Sequence, residues 1–208
     1  MIFKNRASAG KLLGAELTYK NYVNPHIFAL VRGGVPVAAE VAKLLRSPLD
    51  VVVVRKLGLP SFPELGFGAL APDGTHEIDK TIIQRYRLHV DEIDAVRDAE
   101  KSELDRRMKV YGVREPESLT GQTAILVDDG IATGITMLVA IKYLRKFKPD
   151  KIVVAVPVCP DTAESQFYGV ADEFVSLDFE DDFGAVGQFY EQFPQVSDEE
   201  VNHLLKHK

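Results

Sequence analysis

The stretch best equipped for chemistry is ILVDDGIATGIT, residues 125–136. An apolar run ends in two carboxylates, Asp128 and Asp129. A loop of glycine, threonine and small apolar residues follows, with no lysine or arginine in it. Ionised carboxylates only accept hydrogen bonds, so the pair suits a vicinal diol or the water around a hydrated cation. If the chain from Gly130 through Ile131, Ala132, Thr133, Gly134 and Ile135 to Thr136 curls into a helix start, its free N–H groups form an anion cradle. The helix dipole and the hydroxyls of Thr133 and Thr136 would support it. Acids beside a neutral cradle suit a sugar diol next to a phosphate that does not react, as in a ribose 5-phosphate. Two other readings of these residues stay open. One is an Asp-Gly turn with a threonine helix cap; the other is the metal-binding acid pair of a phosphotransfer domain.

Two more polar breaks follow apolar runs. ALVRGGVPVA (29–38) ends a short strand in Arg32, Gly33 and Gly34, with Pro36 in the first turn of the next helix. DVVVVRK (50–56) ends in Arg55 and Lys56. Successive strand residues point to opposite faces, so only one of those two bases is expected to enter a shared site. A tight turn and a solvated strand end are the plainer readings of these two segments.

The elements that must position these breaks alternate. A helix is expected from Asn5 to Tyr19, with Asn5 as N-cap. Strands are expected at 26–31, 50–56, 123–127, 151–158 and 173–177. Helices are expected at 37–45, 136–147 and 160–169, with a charged amphipathic helix at 90–111. A last helix opens at Ser197, with Glu200 completing a capping box. Continuous apolar strands alternating with helices indicate an α/β fold, a doubly wound, mostly parallel sheet covered on both faces. Ligands of such sheets bind beyond the carboxyl ends of the strands, where all three breaks fall. Residues 57–80 are rich in glycine and proline. They read as an exposed hairpin with its turn at Pro72–Gly74, a candidate lid. The tail from about 178 to 208 carries an aromatic patch and could form a small hood. All of this fits one domain over 1–208.

The net charge of −6 disfavours sequence-independent nucleic-acid binding, which needs a basic surface. No apolar window is long enough to span a membrane, and no secretory leader is evident. Cys159 is the lone cysteine, which fits a reducing, cytoplasmic setting, and packing is its expected role. His203 and His207 stand one turn apart, but with no third ligand nearby they read as a solvated helix face.

ILVDDGIATGIT resembles the 13-residue phosphoribosyl pyrophosphate (PRPP) motif of type I phosphoribosyltransferases. The match runs through the apolar run, the two acids and T-G-x-T, departing at Ile135, where many members have a second glycine. The resemblance extends over about residues 27–177. Through FKNRASAGKLL, VRKLGLPSFPELGFGA and AVGQFYEQFPQVSDEEV it reaches a little-characterised bacterial subgroup of predicted phosphoribosyltransferases. It implies the fold above and an enzyme that transfers the 5-phosphoribosyl group of PRPP to a nitrogen nucleophile, commonly a nucleobase, releasing pyrophosphate. A non-catalytic PRPP- or nucleotide-binding sensor is the alternative. By the same resemblance, Asp128 and Asp129 contact the ribose hydroxyls, and the 130–136 loop holds the 5-phosphate. Arg32, Gly33, Gly34 and Arg55 or Lys56 hold pyrophosphate. Mg2+ is implied as the cofactor, bound through PRPP and water near the acids rather than by a protein cage. The acceptor and the oligomeric state, with a homodimer allowed, stay open.

Departures from the family bear on the acceptor. Members acting on 6-oxopurines typically carry aspartate where this chain has Ala132, which argues against hypoxanthine and guanine. Residues 57–79 contain no basic residue, unlike the lid of orotate-type members. Glu64 and His76 are acid–base candidates there, and Arg85 and Arg87 could approach the site. Phe183, Phe189, Tyr190 and Phe193 could stack on a planar base, although packing of the last helix is the plainer reading.

Overall fold

The computed structural model describes residues 1–206; His207, and with it the His203–His207 spacing, lies outside the described residues. Helix α1 (Arg6–Thr18) starts at the expected N-cap, where the Asn5 side chain accepts from the Ser8 N–H and Ser8 answers to the Asn5 N–H. Strand β1 (Pro25–Leu30) leads into α2 (Gly34–Leu45), and β2 (Leu49–Val52) follows. Further on come β6 (Thr123–Val127), α5 (Ile135–Arg145), β7 (Lys151–Pro160) and β8 (Glu173–Glu180). These five strands form one parallel sheet in the order β2-β1-β6-β7-β8.

Alternation along the strands builds two cores. Ile27, Ala29, Ile125, Val127, Val153 and Ala155 pack on one face with Leu13 and Leu17 of α1 and Val37 and Val41 of α2. Phe28, Leu30, Leu126, Val154 and Val156 pack on the other with Met137, Ala140 and Leu144 of α5. A strand covered on both faces has no polar side to show, which is why all five residues of β6 are buried and the sequence reads as an unbroken apolar run.

The run DVVVVRK is not one strand. It breaks after Val52, and Arg55 starts β3 (Arg55–Leu59) in a second sheet, antiparallel, with β4 (Phe62–Leu70) and β5 (His76–Ile78). Four valines give no local signal for that switch, because Val53 and Val54 are as buried as their neighbours. The hairpin turn falls at Pro72–Gly74 as expected. It is fastened rather than loose: Lys146 donates to Asp73 and Thr75, and Lys101 to the Pro72 carbonyl. The end that projects is 60–64, exposed throughout.

A short helix, α3 (Lys80–Tyr86), precedes the long α4 (Val90–Val110), which packs along β3 and β4. β7 runs on to Pro160, so Pro160 closes a strand, and α6 shrinks to Ala163–Phe167. The tail returns to the amino-terminal segment: Phe3 N–H donates to the Phe189 carbonyl, and Glu191 N–H to the Phe3 carbonyl. It closes with α7 (Asp198–Lys206), where the Ser197 hydroxyl accepts from the Glu200 N–H. Cys159 is buried, and desolvation pushes its thiol up to about 11, as befits a packing residue.

Helices α1 and α2 meet through glycine. A Cβ at Gly10 would stand 2.5 Å from the Val37 carbonyl oxygen, part of a helix backbone that cannot yield as a side chain would. Gly10→Ala should therefore cost about 1–2 kcal/mol, because overpacking of this kind outweighs the roughly 1 kcal/mol that alanine gains in a helix. Urea unfolding reads this directly. Unchanged or higher stability would mean that the two helices can part freely.

Candidate functional site

β1 and β6 are parallel neighbours in register, Ala29 opposite Val127. From β1 the chain first goes outward to β2 and later returns to β6 on the other side. The gap between β1 and β6 is thus the switch point of the sheet, where such folds open a crevice. The RGG loop and the acid pair leave the sheet there side by side. A Cβ on Gly33 would lie 2.2 Å from Asp129 Oδ2, and one on Gly34 would lie 2.6 Å from the Val127 carbonyl oxygen. Only glycine lets the two loops come this close. The peptide bond between Val31 and Arg32 is cis.

A cleft of about 550 Å³ opens over this junction. Asp128, Asp129 and Gly33 form its floor, and Phe193 to Val196 of the tail form one side. Four arginines line it: Arg6, Arg32, Arg55 and Arg107. Arg55 lies between the cleft and a separate hollow beside the 60–64 tip and lines both, whereas Lys56 lines only that hollow and donates to the Glu64 carbonyl. A hollow of similar size, about 570 Å³, lies between α2 and Leu204 of α7. It sits at Pro48 and Leu49, the amino end of β2, away from the acid pair.

The two acids are held differently. Asp129 is buried, and its Oδ2 accepts from Arg6 Nε at 2.7 Å. Arg6 also donates to the Pro194 carbonyl, and its guanidinium lies 3.7 Å from the Phe193 ring centroid. The Asp129 carbonyl oxygen accepts from the Tyr190 hydroxyl at 2.6 Å. Asp128 forms no ion pair among the described residues; its Oδ1 accepts from the Asp129 N–H at 2.9 Å. Burial raises the carboxyl of Asp128 well above the usual range, and the neighbouring Asp129 charge adds to this. Burial raises Asp129 as well, with Arg6 pulling against it. Both carboxyls are thus biased towards the protonated form, Asp128 more than Asp129, which has Arg6 beside it.

Beyond the acids, Gly134 adopts a positive φ of 74° and starts α5 without a side-chain cap. The N–H groups of Ile135, Thr136 and Met137 thus have no intrahelical acceptor. Ala132 and Thr133 are exposed, while Gly130, Ile131 and Gly134 are buried beneath them. The loop has the shape of an anion cradle.

Arg6 and Arg107 lie outside the three polar breaks, yet both carry a signal in the sequence. Arg6 begins the buried stripe of α1 that continues through Ala9, Leu13 and Leu17. Arg107 falls between Leu104 and Tyr111 on the inner face of α4. A charge in an apolar register is a candidate site residue. Arg85 and Arg87 are exposed and do not line the cleft, nor do Glu64 and His76. Of the aromatic patch, Phe189 and Tyr190 pack with Phe3 and Phe183, and Phe193 lines the cleft.

With this geometry in view, residues 2–194 match the family model described as "Phosphoribosyl transferase domain". The chain is 44% identical over 205 residues to the "Putative phosphoribosyl transferase" of Mycobacterium tuberculosis strain H37Rv, which covers 98% of this chain and 46% of that protein. The chain thus spans about half the length of that relative. The crystal structure of TT1426 from Thermus thermophilus superposes with a TM-score of 0.79 at 36% identity, over 100% of this chain and 99% of that one. A purine phosphoribosyltransferase from Pyrococcus horikoshii shares the fold, with a TM-score of 0.50 at 15% identity, over 92% and 93% of the two chains.

The protonation of the acid pair has a measurable consequence. A carboxyl whose folded-state pKa lies above its unfolded value of about 3.9 adds stability that is full below pH 4. That stability is lost as pH rises through the folded value. Asp128→Asn should then stabilise the protein at pH 8 by about 0.5–2 kcal/mol, the usual gain where a functional site is relieved. The advantage should shrink towards pH 4. Urea unfolding at the two pH values tests it, and a variant less stable than wild type at pH 8 would contradict the assignment.

Proposed function

The chain belongs to the phosphoribosyltransferase family, and from that premise we propose that it transfers the 5-phosphoribosyl group of PRPP to a nitrogen nucleophile, with pyrophosphate leaving. The observation that carries this reading is the contact between the Gly33–Gly34 backbone and the Asp128–Asp129 pair, under a wall of arginines and beside an uncapped helix start. Each part matches one part of PRPP. The loop from Gly130 to Thr136 takes the 5-phosphate through backbone N–H groups and threonine hydroxyls. Asp128, the acid with no ion pair among the described residues, accepts from the ribose hydroxyls. Arg32 and Arg55, with the Gly33 and Gly34 backbone, hold the diphosphate.

The chemistry asks the protein for position and charge. Displacement at the anomeric carbon passes through an oxocarbenium-like state, positive on the sugar and negative on the leaving diphosphate. Carboxylates below the ribose and guanidinium groups around the diphosphate stabilise both halves. Among the described residues no cluster of three or more His, Cys, Asp or Glu could hold a metal unaided. Asp128 at the cleft floor suits a magnesium ion that arrives on the diphosphate and keeps its waters. Bound there, the ion would neutralise the leaving group. Phe193 offers a flat apolar face for a planar acceptor, and the projecting 60–64 tip is the part of the 57–80 segment suited to act as a lid.

Purified protein incubated with PRPP, magnesium and a panel of nucleobases and simple amines tests the proposal. Pyrophosphate release that requires both PRPP and one member of the panel is expected, with 6-oxopurines poor acceptors because Ala132 offers no carboxylate. Saturable PRPP binding without release for any acceptor would instead point to a sensor.

A further inference from the structure

Three of the four cleft arginines share a detail. Arg6, Arg55 and Arg107 are each held by a carboxylate through Nε alone, at 2.7, 2.6 and 2.7 Å. Arg55 is held by Glu100 and Arg107 by Glu103, both on α4. The terminal nitrogens of Arg55 and Arg107 have no protein partner among the described residues, and no described buried side-chain nitrogen or oxygen is left unsatisfied. Those terminal nitrogens are therefore open to solvent; Arg107 lines the cleft, and Arg55 lines both the cleft and the hollow beside the 60–64 tip.

Arg107 is not an ordinary surface cation of a charged helix. Its side chain is 12% exposed, against 46% for Arg106 and 51% for Arg97 on the same helix. Its partner Glu103 is firmly ionised: two hydrogen bonds from Arg106, and behind them Arg107, hold its carboxyl down to about 2. Glu103 is thus an anchor whose charge does not come and go with pH. The Tyr111 hydroxyl donates to Asp198, Asp198 pairs with Arg32 at 3.5 Å, and Arg107 lines the cleft together with Arg32 and Gly33. This brings Arg107 to the rim of the RGG loop. Arg32, Arg55 and Arg107 thus line the same cleft, and two of them keep terminal nitrogens with no protein hydrogen bond among the described residues.

We propose that Arg107 joins Arg55 as an anion clamp for the outer phosphate of the diphosphate, and that Glu103 and Glu100 are positioning residues that aim the two forks. The proposal rests on the PRPP reading of the cleft and deepens it. Holding an arginine by Nε fixes the plane of the guanidinium and leaves its two terminal nitrogens for a phosphate, which they can grip in parallel. The 5-phosphate, in its separate cradle, does not touch this wall.

Calorimetric titration of wild type, Arg107→Ala and Glu103→Gln with PRPP, inorganic pyrophosphate and ribose 5-phosphate, each with magnesium, tests this. Arg107→Ala should weaken PRPP and pyrophosphate roughly tenfold or more, the range for lost charge-assisted hydrogen bonds. Ribose 5-phosphate should change by less than about twofold, which also reports that the variant is folded. Glu103→Gln should weaken the two diphosphates by roughly threefold to tenfold through a loosened fork. Unchanged PRPP affinity in Arg107→Ala, or an equal loss for ribose 5-phosphate, overturns the clamp while leaving the transferase reading standing. Arg107-dependent binding of pyrophosphate in a protein that ignores PRPP supports the clamp and overturns the transferase reading. Wild-type protein that binds neither overturns both.

Discussion

The site depends on one buried ion pair, Arg6 with Asp129. It joins the first residue of α1 to the end of β6, 123 positions apart in the chain. A second arm of Arg6 holds the Pro194 carbonyl, Phe193 lies over the guanidinium, and Tyr190 donates to the Asp129 carbonyl. Amino-terminal helix, central strand and carboxy-terminal tail are thereby closed around two charges. Such a pair adds little net stability over an apolar substitute, yet removing one member strands the other at a cost of about 3–5 kcal/mol. Its value here is specificity of arrangement: Asp129 cannot move without carrying the tail and α1 with it.

This pairing divides the labour between two adjacent acids. Asp129 is occupied by Arg6 and sets the shape of the floor. Asp128, next to it, is half-buried with no ion-pair partner among the described residues, and it remains open to a ligand. The absence of a lysine in the 130–136 loop fits the same division. A neutral cradle suffices for a phosphate that stays on the sugar, while the arginines stand across the cleft on β3, α4 and the RGG loop, where charge would develop on a leaving group.

Much of this could be read from the chain. Strands buried on both faces announce themselves as apolar runs, and the acid pair, the RGG loop and the uncapped α5 start lie on contiguous residues. Other features depend on contacts distant in sequence. The switch of sheets after Val52 is invisible in a run of four valines, because it is set by which neighbour each strand finds. The fastening of the Pro72–Gly74 turn by Lys101 and Lys146 depends on α4 and α5 packing against it. Arg6 and Arg107 were legible only as charges out of place on otherwise apolar helix faces. The expectation that one of Arg55 and Lys56 would enter the cleft followed from strand alternation; which one depended on where β3 turned.

We propose that the floor formed by Asp128 and Asp129 recognises the ribose of PRPP. Calorimetric titration of magnesium and PRPP into wild type and into the Asp128→Asn, Asp129→Asn double variant, with folding of both checked by circular dichroism, tests it most directly. The account predicts saturable binding by wild type and a loss of about tenfold or more in a folded double variant, as expected when hydrogen bonds to charged groups are removed. Equal affinity in the two proteins, or no binding by wild type, would contradict it.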